Sequence, residues 1–393
     1  MATVTASTPA SAAPPAALFS RLRWMFIFTV VGGLAAAAWD GWYHTQNVFD
    51  GFFSPPHVMA YGVALVLAWF TGDLLVRRDL RRWLGVGFRV PTLPFPVPGA
   101  LVVLGAGVVM LGFSGLVLDN FWHTWFGLNE TGWSLPHAMI GWSLLMVVLG
   151  FAACRLALGE PGRLWKFVLA WLIVIMATGS VLGPIGRNNS PEMVRAESQI
   201  PVYLAQPETQ HLFRIYQAHN LNRTNPLLIV LAPLGAAAGL AFVRRMSAGP
   251  WLMLGVALLV SLSSDRNTAE RLVTYAPGLL SNPANYAALP MIWLAGTYAL
   301  ARRLRASETL AWALGGIAFG LLLHWTFGTQ PGMEVLALAG GLTAVIGARI
   351  GTRVYDIIRQ PDSWRVVAPL IALAIILPLV TGAVDLALRL STP

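Results

Sequence analysis

The sequence has 393 residues, of which 56% are hydrophobic and only 11% are charged. A soluble domain carries about 25% charged residues, so this composition excludes an ordinary water-soluble enzyme. The net charge is +9, and the presence of a single cysteine, Cys154, excludes intrachain disulfides and cysteine-rich metal sites.

The chain begins with residues 1–20, which are rich in Ala, Pro, Ser and Thr and lack the charged-then-apolar layout of a cleaved signal. They predict a disordered cytoplasmic tail. Apolar runs of about 20 residues, the length that crosses a hydrocarbon core, then recur along the chain. They predict eleven membrane-spanning helices, at about 23–43, 57–76, 97–122, 136–157, 164–184, 225–243, 250–263, 282–301, 307–326, 332–350 and 367–388. The expected fold is all-α, a polytopic transmembrane helix bundle in a lipid bilayer.

The basic residues predict the orientation of this bundle. Short loops rich in Lys and Arg remain in the cytoplasm. When Arg21 and Arg23 are placed inside, most of the 26 basic residues fall on the same side. The predicted orientation is therefore N-in and C-out, and the expected location is a bacterial inner membrane. Because topology explains the positive charge, no nucleic-acid partner is expected.

The histidines share the opposite side of the predicted bundle. All seven fall at outer helix ends or in outer loops: His44, His57, His123, His137, His211, His219 and His324. Histidines with unrelated structural roles would be expected on both sides of the bundle. This distribution favours a shared site at the outer, periplasmic face, although outer loops also hold more polar residues in general.

An internal repeat of one helical hairpin contains four of these histidines. The first copy spans residues 39–62 and the second spans residues 118–142. Both read Asp-x3-His-Thr, then a short loop with an acidic residue, then Ser-x-Pro-His and a new apolar run. Sites in membrane proteins often lie where such repeats meet.

The spacing within each copy suits a metal ion. The Asp and the first His are four residues apart, so they lie on one helical face. Ser and Pro then favour a helix start that places the second His in the first helical turn. A carboxylate and two imidazoles can thus converge from two antiparallel helices. The candidate ligands are Asp40, His44 and His57 in the first copy, and Asp119, His123 and His137 in the second. The alternative is ordinary polarity at helix ends, but matched spacing in two copies favours ligands.

Residues 39–142 resemble the C subunit of the particulate methane and ammonia monooxygenases, the copper membrane monooxygenases. That subunit carries Asp-x3-His-x12-His, a pattern that Asp40, His44 and His57 match. It also carries Asn-x3-His-Thr-x-Trp, an acidic loop and a second His after thirteen intervening residues, a spacing that His123 and His137 keep. The resemblance implies two neighbouring metal positions, one for each hairpin, with copper as the metal.

One departure from the family's pattern changes the charge of the second position. The family's Asn is Asp119 in this chain, and the extra carboxylate favours a harder ion there. The acidic loop residues Asp50 and Glu130 are candidates for hydrogen-bonding partners of the ligands. The resemblance implies a C-subunit-like bundle over residues 21–245, followed by additional transmembrane helices over residues 246–393.

The ligand types alone leave the metal open, because two imidazoles and a carboxylate also suit iron or zinc. The resemblance favours copper and implies a monooxygenase, or a subunit of one, that uses O2 to hydroxylate a small apolar substrate such as a hydrocarbon, or ammonia. Other monooxygenase subunits and an electron donor are then expected as partners. The alternatives are a non-catalytic membrane protein that binds or transports copper, and a zinc-dependent membrane hydrolase.

Overall fold

The fold is that of a computed structural model, which describes most of the chain. The described residues are 14–46, 52–90, 93–126, 135–159, 162–182, 226–247, 249–260, 283–327 and 332–391. These residues form helices almost throughout, with one short pair of strands. The prediction of an all-α fold is therefore confirmed.

The described helices follow one another in this order along the chain. In the N-terminal part they are α1 Ala16–Gln46, α2 Pro55–Val76, α3 Arg78–Arg81, α4 Gly99–Gly112, a π-helical segment Phe113–Leu118, α5 Asp119–Phe126, α6 Leu135–Ala157 and α7 Arg163–Leu182. Further on they are α8 Pro226–Met246, α9 Trp251–Val260, α10 Pro283–Arg303, α11 Glu308–Phe327, α12 Met333–Arg359 and α13 Trp364–Ser391. Strands β1 Gly87–Arg89 and β2 Pro96–Pro98 pair antiparallel, with Phe88 opposite Val97.

Several of these helices are long and apolar enough to cross a membrane. Five in the described part of the chain meet both requirements: Ala16–Asp40, Pro55–Val76, Gly99–Trp122, Leu135–Ala157 and Met333–Arg359. Shorter apolar helices cover Trp251–Val260, Glu308–Leu322 and Trp364–Val380. A helix satisfies its backbone polar groups internally, which is what a bilayer requires. The helices support a membrane protein, whereas the count of eleven spans and the N-in orientation stay predictions.

The chain divides into two compact units. The first contains residues 1–128, 139–162 and 356–379, and the second contains residues 129–138, 163–355 and 380–393. The functional division at residue 245 follows the resemblance rather than these units, and it stays a prediction.

In the first unit, α2 packs between α1 and α4, and α4 approaches α6 closely. A Cβ atom on Gly107 would lie 2.7 Å from the backbone nitrogen of Val147, and one on Gly150 would lie 2.5 Å from the Cα of Leu104. Glycine is therefore required at this crossing, as at many helix contacts in membranes. The core here includes Leu101, Leu104 and Phe151.

In the second unit, α8 packs against α7, α10 and α11, and α10 packs against α11. Glycines again mark the closest approaches. A Cβ on Gly316 of α11 would overlap the carbonyl oxygen of Gly340 in α12, and one on Gly351 would overlap that of Ala238 in α8. These contacts hold α12 against two neighbouring helices.

Candidate metal site

The first hairpin brings Asp40 and His57 together. Asp40 lies near the end of α1, and α2 begins at Pro55 with Ser54 at its N-cap position. His57 is the third residue of α2, because the two prolines before it fill the first positions of the helix. The Oδ1 atom of Asp40 lies 3.3 Å from the Nε2 atom of His57, and both side chains are partly buried.

This distance is compatible with two ligands of one metal ion. Nitrogen and oxygen ligands bind a first-row divalent metal at about 2.0–2.2 Å, so two of them at a tetrahedral angle lie about 3.3 Å apart. The same distance is also that of a long hydrogen bond or ion pair between a carboxylate and a protonated imidazole. The geometry therefore fits two ligands of one metal ion, and a measurement of metal content distinguishes this arrangement from an ion pair.

Aromatic side chains line one side of the pair. The ring centroid of Tyr61, one helical turn after His57, lies 6.1 Å from that of the imidazole. Phe52 lies 5.0 Å from Tyr61 and 4.8 Å from Phe53, again between ring centroids. Sequence reasoning did not single out Tyr61, although its spacing of four from His57 places it on the same helical face.

The register of α1 against α2 is fixed at two further points. In the middle of the hairpin, a Cβ on Gly32 would lie 2.8 Å from the Cγ2 of Val63, so the helices are in close contact there. At the far end, Arg21 Nη1 donates a hydrogen bond of 2.7 Å to Asp73 Oδ2. A shift of α1 along α2 would break this ion pair and separate Asp40 from His57.

The second hairpin places Asp119 in the protein interior. Asp119 is the first residue of α5 and is only 5% exposed. It directly follows the π-helical segment Phe113–Leu118, where the buried Ser114 hydroxyl donates to the carbonyl oxygens of Met110 (2.7 Å) and Leu111 (3.2 Å). π-Helical turns inside α-helices are rare and frequently occur at functional sites.

The π-helical segment changes which side chains face the interior. On one face of this helix, the buried residues Val103, Gly107, Met110 and Ser114 follow one another at steps of three and four, and Leu104 is buried beside them. The next is Asp119, a step of five. In an unbroken α-helix five residues turn through about 500°, which would place Asp119 about 140° away from Ser114. The extra residue of the π turn keeps Asp119 on the buried face.

His137 occupies the position in its own helix that His57 occupies in α2. It is the third residue of α6, after Leu135 and Pro136, and it is partly buried. The prediction that both second histidines lie in a first helical turn is therefore confirmed. Asp119 belongs to the first compact unit and His137 to the second.

The remaining candidate residues are only partly described. His44, His123 and His324 lie in α1, α5 and α11, but their side chains are outside the described part of the structure. Asp50, Glu130, His211 and His219 lie outside the described residues altogether. Within the described residues, no group of three or more His, Cys, Asp or Glu side chains is placed to hold a metal. The side chains of His44 and His123, one from each triad, are outside the described part of the structure, so both triads stay predictions.

Comparisons of the chain with protein-family models, with curated proteins and with solved structures give no match. The resemblance to the monooxygenase C subunit thus stays an expectation that rests on the hairpin residues alone.

Proposed function

We propose that this chain is a copper-binding integral membrane protein that uses O2 to hydroxylate a small apolar substrate such as a hydrocarbon, or ammonia. It would act as a monooxygenase or as one subunit of a larger one. The observation that carries this proposal is the 3.3 Å approach of Asp40 to His57 in the hairpin that matches the family's ligand pattern. The long apolar helices give the site the membrane setting of that family.

The donor set fits a copper ion. Imidazole nitrogen and carboxylate oxygen are both common copper ligands, and α1 carries a third candidate donor, His44, one helical turn after Asp40. Asp40 would supply negative charge to balance the cation, and His57 would bind through Nε2, the atom that faces the carboxylate. When bound, copper would supply the activation of O2, which no side chain can perform.

The surroundings of the pair suit an apolar substrate. Tyr61 and Phe52 form an aromatic wall beside His57. The outer surfaces of α1 and α2 are strongly apolar and exposed, with Val31, Leu65 and Trp69 more than 60% accessible. A substrate dissolved in lipid could therefore approach the hairpin from the side, without crossing water.

The proposal also implies a source of electrons and a position for the site in the membrane. The sequence has no haem, flavin or nucleotide motif, so a partner subunit or an external donor would deliver electrons. The predicted topology places the site towards the periplasmic face of a bacterial inner membrane.

The test is a measurement of metal identity and of O2-dependent hydroxylation in purified protein reconstituted into lipid nanodiscs, with a chemical reductant as electron donor. We expect bound copper, and O2 consumption that depends on a hydrocarbon or on ammonia. Copper without substrate-dependent O2 consumption would indicate a membrane protein that stores, senses or transports copper. Zinc in place of copper would indicate a hydrolase.

A further inference from the structure

A short basic segment, residues 77–84, follows α2 at the end opposite to His57. It contains α3, and backbone hydrogen bonds continue its helical turns as far as Leu84, whose N–H donates to the Arg81 carbonyl at 3.0 Å. Arg77 follows His57 by 20 residues along α2, so the segment lies about 30 Å from the first hairpin's Asp–His pair. It is therefore distinct from the candidate metal site.

The basic segment is amphipathic. Leu80 and Leu84, four residues apart, are 4% and 1% exposed. Arg78 and Arg82, also four residues apart, are exposed. Because residues at this spacing share a helical face, one face of the segment faces the protein and another presents two guanidinium groups.

Arg77 and Arg81 form hydrogen bonds within the protein, and the guanidinium of the exposed Arg82 lies 5.5 Å from the ring centroid of the adjacent Trp83. Arg81 Nη1 donates to the carbonyl oxygens of Leu75 (2.6 Å) and Val76 (3.3 Å), and its guanidinium lies 4.2 Å from the ring centroid of Phe95. Arg77 donates to Asp79 at 3.1 Å. The contacts of Arg81 attach the segment to α2, and Arg77 compensates the charge of Asp79, the one acidic residue of the segment. Among the described residues, neither Arg78 nor Arg82 forms an ion pair with a carboxylate.

The position of the basic segment in the chain would place it at the surface of the membrane that α2 and α4 are long and apolar enough to cross. It connects α2 to α4 through the small β-hairpin, and both of those helices are apolar enough to cross a bilayer. Val76 before the segment and Val86 after it are 72% and 51% exposed. An amphipathic turn with exposed apolar neighbours and a basic face is typical of segments that lie in the lipid headgroup region.

We propose that Arg78 and Arg82 together bind the phosphodiester of an anionic phospholipid headgroup. Guanidinium groups form charge-assisted, two-pronged hydrogen bonds with phosphate oxygens, and two of them one helical turn apart can bind one headgroup. Anionic lipids are the phosphate source present at this depth, and basic side chains next to a membrane helix attract them. The protein thereby gains a lipid site on the side opposite to the candidate metal site.

The test is native mass spectrometry of the purified full chain in detergent, titrated with phosphatidylglycerol or with phosphatidylcholine. The double variant Arg78→Gln/Arg82→Gln is compared with Arg78→Lys/Arg82→Lys and with Arg303→Gln/Arg305→Gln. The last pair removes two exposed arginines from the turn between α10 and α11 and serves as the matched loss of charge. All four substituted arginines are exposed, and thermal melting checks that each variant is folded.

We expect the wild type to prefer phosphatidylglycerol, and the Gln double variant to raise its Kd by about 25-fold, since each arginine near a membrane surface contributes about five-fold. The Lys double variant should bind more tightly than the Gln double variant but more weakly than the wild type, because the charge is kept while the two-pronged hydrogen bonds of the guanidinium groups are lost. An unchanged Kd in the Gln double variant would overturn the proposal. So would an equal loss in the Arg303/Arg305 variant, which would indicate general charge attraction, or displacement of the lipid by inorganic phosphate at equal concentration.

Discussion

Asp40 and His57 are partly buried helical residues, and their side chains are in contact. Asp40 is held by a long apolar helix, and His57 is placed by a proline-rich helix start. Ionisable residues at such depth are costly and tend to mark function in membrane proteins. The partial burial of both groups strengthens their attraction, because the local dielectric constant is lower than that of water.

Asp119 is the residue expected to make this chain differ from copper monooxygenases. Replacement of Asp119 by Asn gives the residue that the monooxygenase C subunit carries in the motif this hairpin resembles, and it removes one buried carboxyl group. We expect the affinity of the second position for a hard divalent ion such as Mn²⁺ to fall by at least about ten-fold, while copper is retained, since carboxylate oxygen favours hard ions. Competition between the two ions, measured by elemental analysis of the purified variants, is the readout.

Asp79→Asn is the matched control, because it also removes one carboxylate from the first unit but lies outside both hairpins and is exposed. Equal ion preferences in the Asp119→Asn variant and the wild type would contradict a ligand role for Asp119.

At the scale of one element, the π-helical segment Phe113–Leu118 accommodates an extra residue while Asp119 stays on the buried face. Deletion of Gly115 should restore a regular α-helix with Asp119 four positions after Ser114, which is nearly the same face. Insertion of one Ala after Gly115 should instead rotate Asp119 by about 100° towards the surface of the helix.

We therefore expect the deletion to change the stability of the protein little, and the insertion to lower it by about 1–3 kcal/mol, because it removes the buried Asp119 from the polar groups that it contacts. Thermal melting in detergent measures both. Equal destabilisation by the two variants would refute the positioning role of the π turn.

Glycine contacts make a second prediction at the scale of helix pairs. A methyl group on Gly351 would overlap the carbonyl oxygen of Ala238, so Gly351→Ala should lower the stability by about 1–3 kcal/mol through overpacking. At Gly296 in α10, no described atom other than the nearby backbone of its own helix lies within 4 Å of the position that a Cβ would occupy. Gly296→Ala should therefore be neutral or slightly stabilising, since Ala favours a helix over Gly. A loss of stability of the same size in both variants would indicate that close packing is not the cause.

For the molecule as a whole, hydropathy predicts the helices well and the short elements poorly. Each of the eleven predicted apolar segments coincides with a described helix, since a run of about 20 apolar residues has few alternatives to a helix. The segment with α3, β1 and β2 was not predicted, because its elements are three or four residues long and lack a hydrophobic period.

The candidate site was predicted in part. Local signals, namely an Asp four residues before a His and prolines at a helix start, indicated Asp40 and His57 correctly as neighbours. The ion pair between Arg21 and Asp73 could not be predicted, because it joins residues 52 apart and depends on the register of two packed helices. The π turn is likewise invisible to a hydropathy pattern, since it alters a helix by a single residue.

The predicted topology can be tested with substituted cysteines, because the only native cysteine, Cys154, is buried and should not react. Phe53 lies in the first hairpin loop and Leu304 in the turn after α10, and both are more than 70% exposed. In intact cells a membrane-impermeant thiol reagent should label Phe53→Cys and spare Leu304→Cys, which should react only after lysis. The reverse pattern would contradict the N-in orientation.

The most direct test of the central claim, that Asp40 and His57 hold a metal ion, is the metal content of purified His57→Ala protein. His324→Ala is the matched histidine control, because Gly320 stands where the motif would need an aspartate. We predict that the His57→Ala variant loses the metal of the first position, with an affinity lowered by at least about 100-fold, while the His324→Ala variant keeps it. Unchanged metal content in the His57→Ala variant would contradict the account.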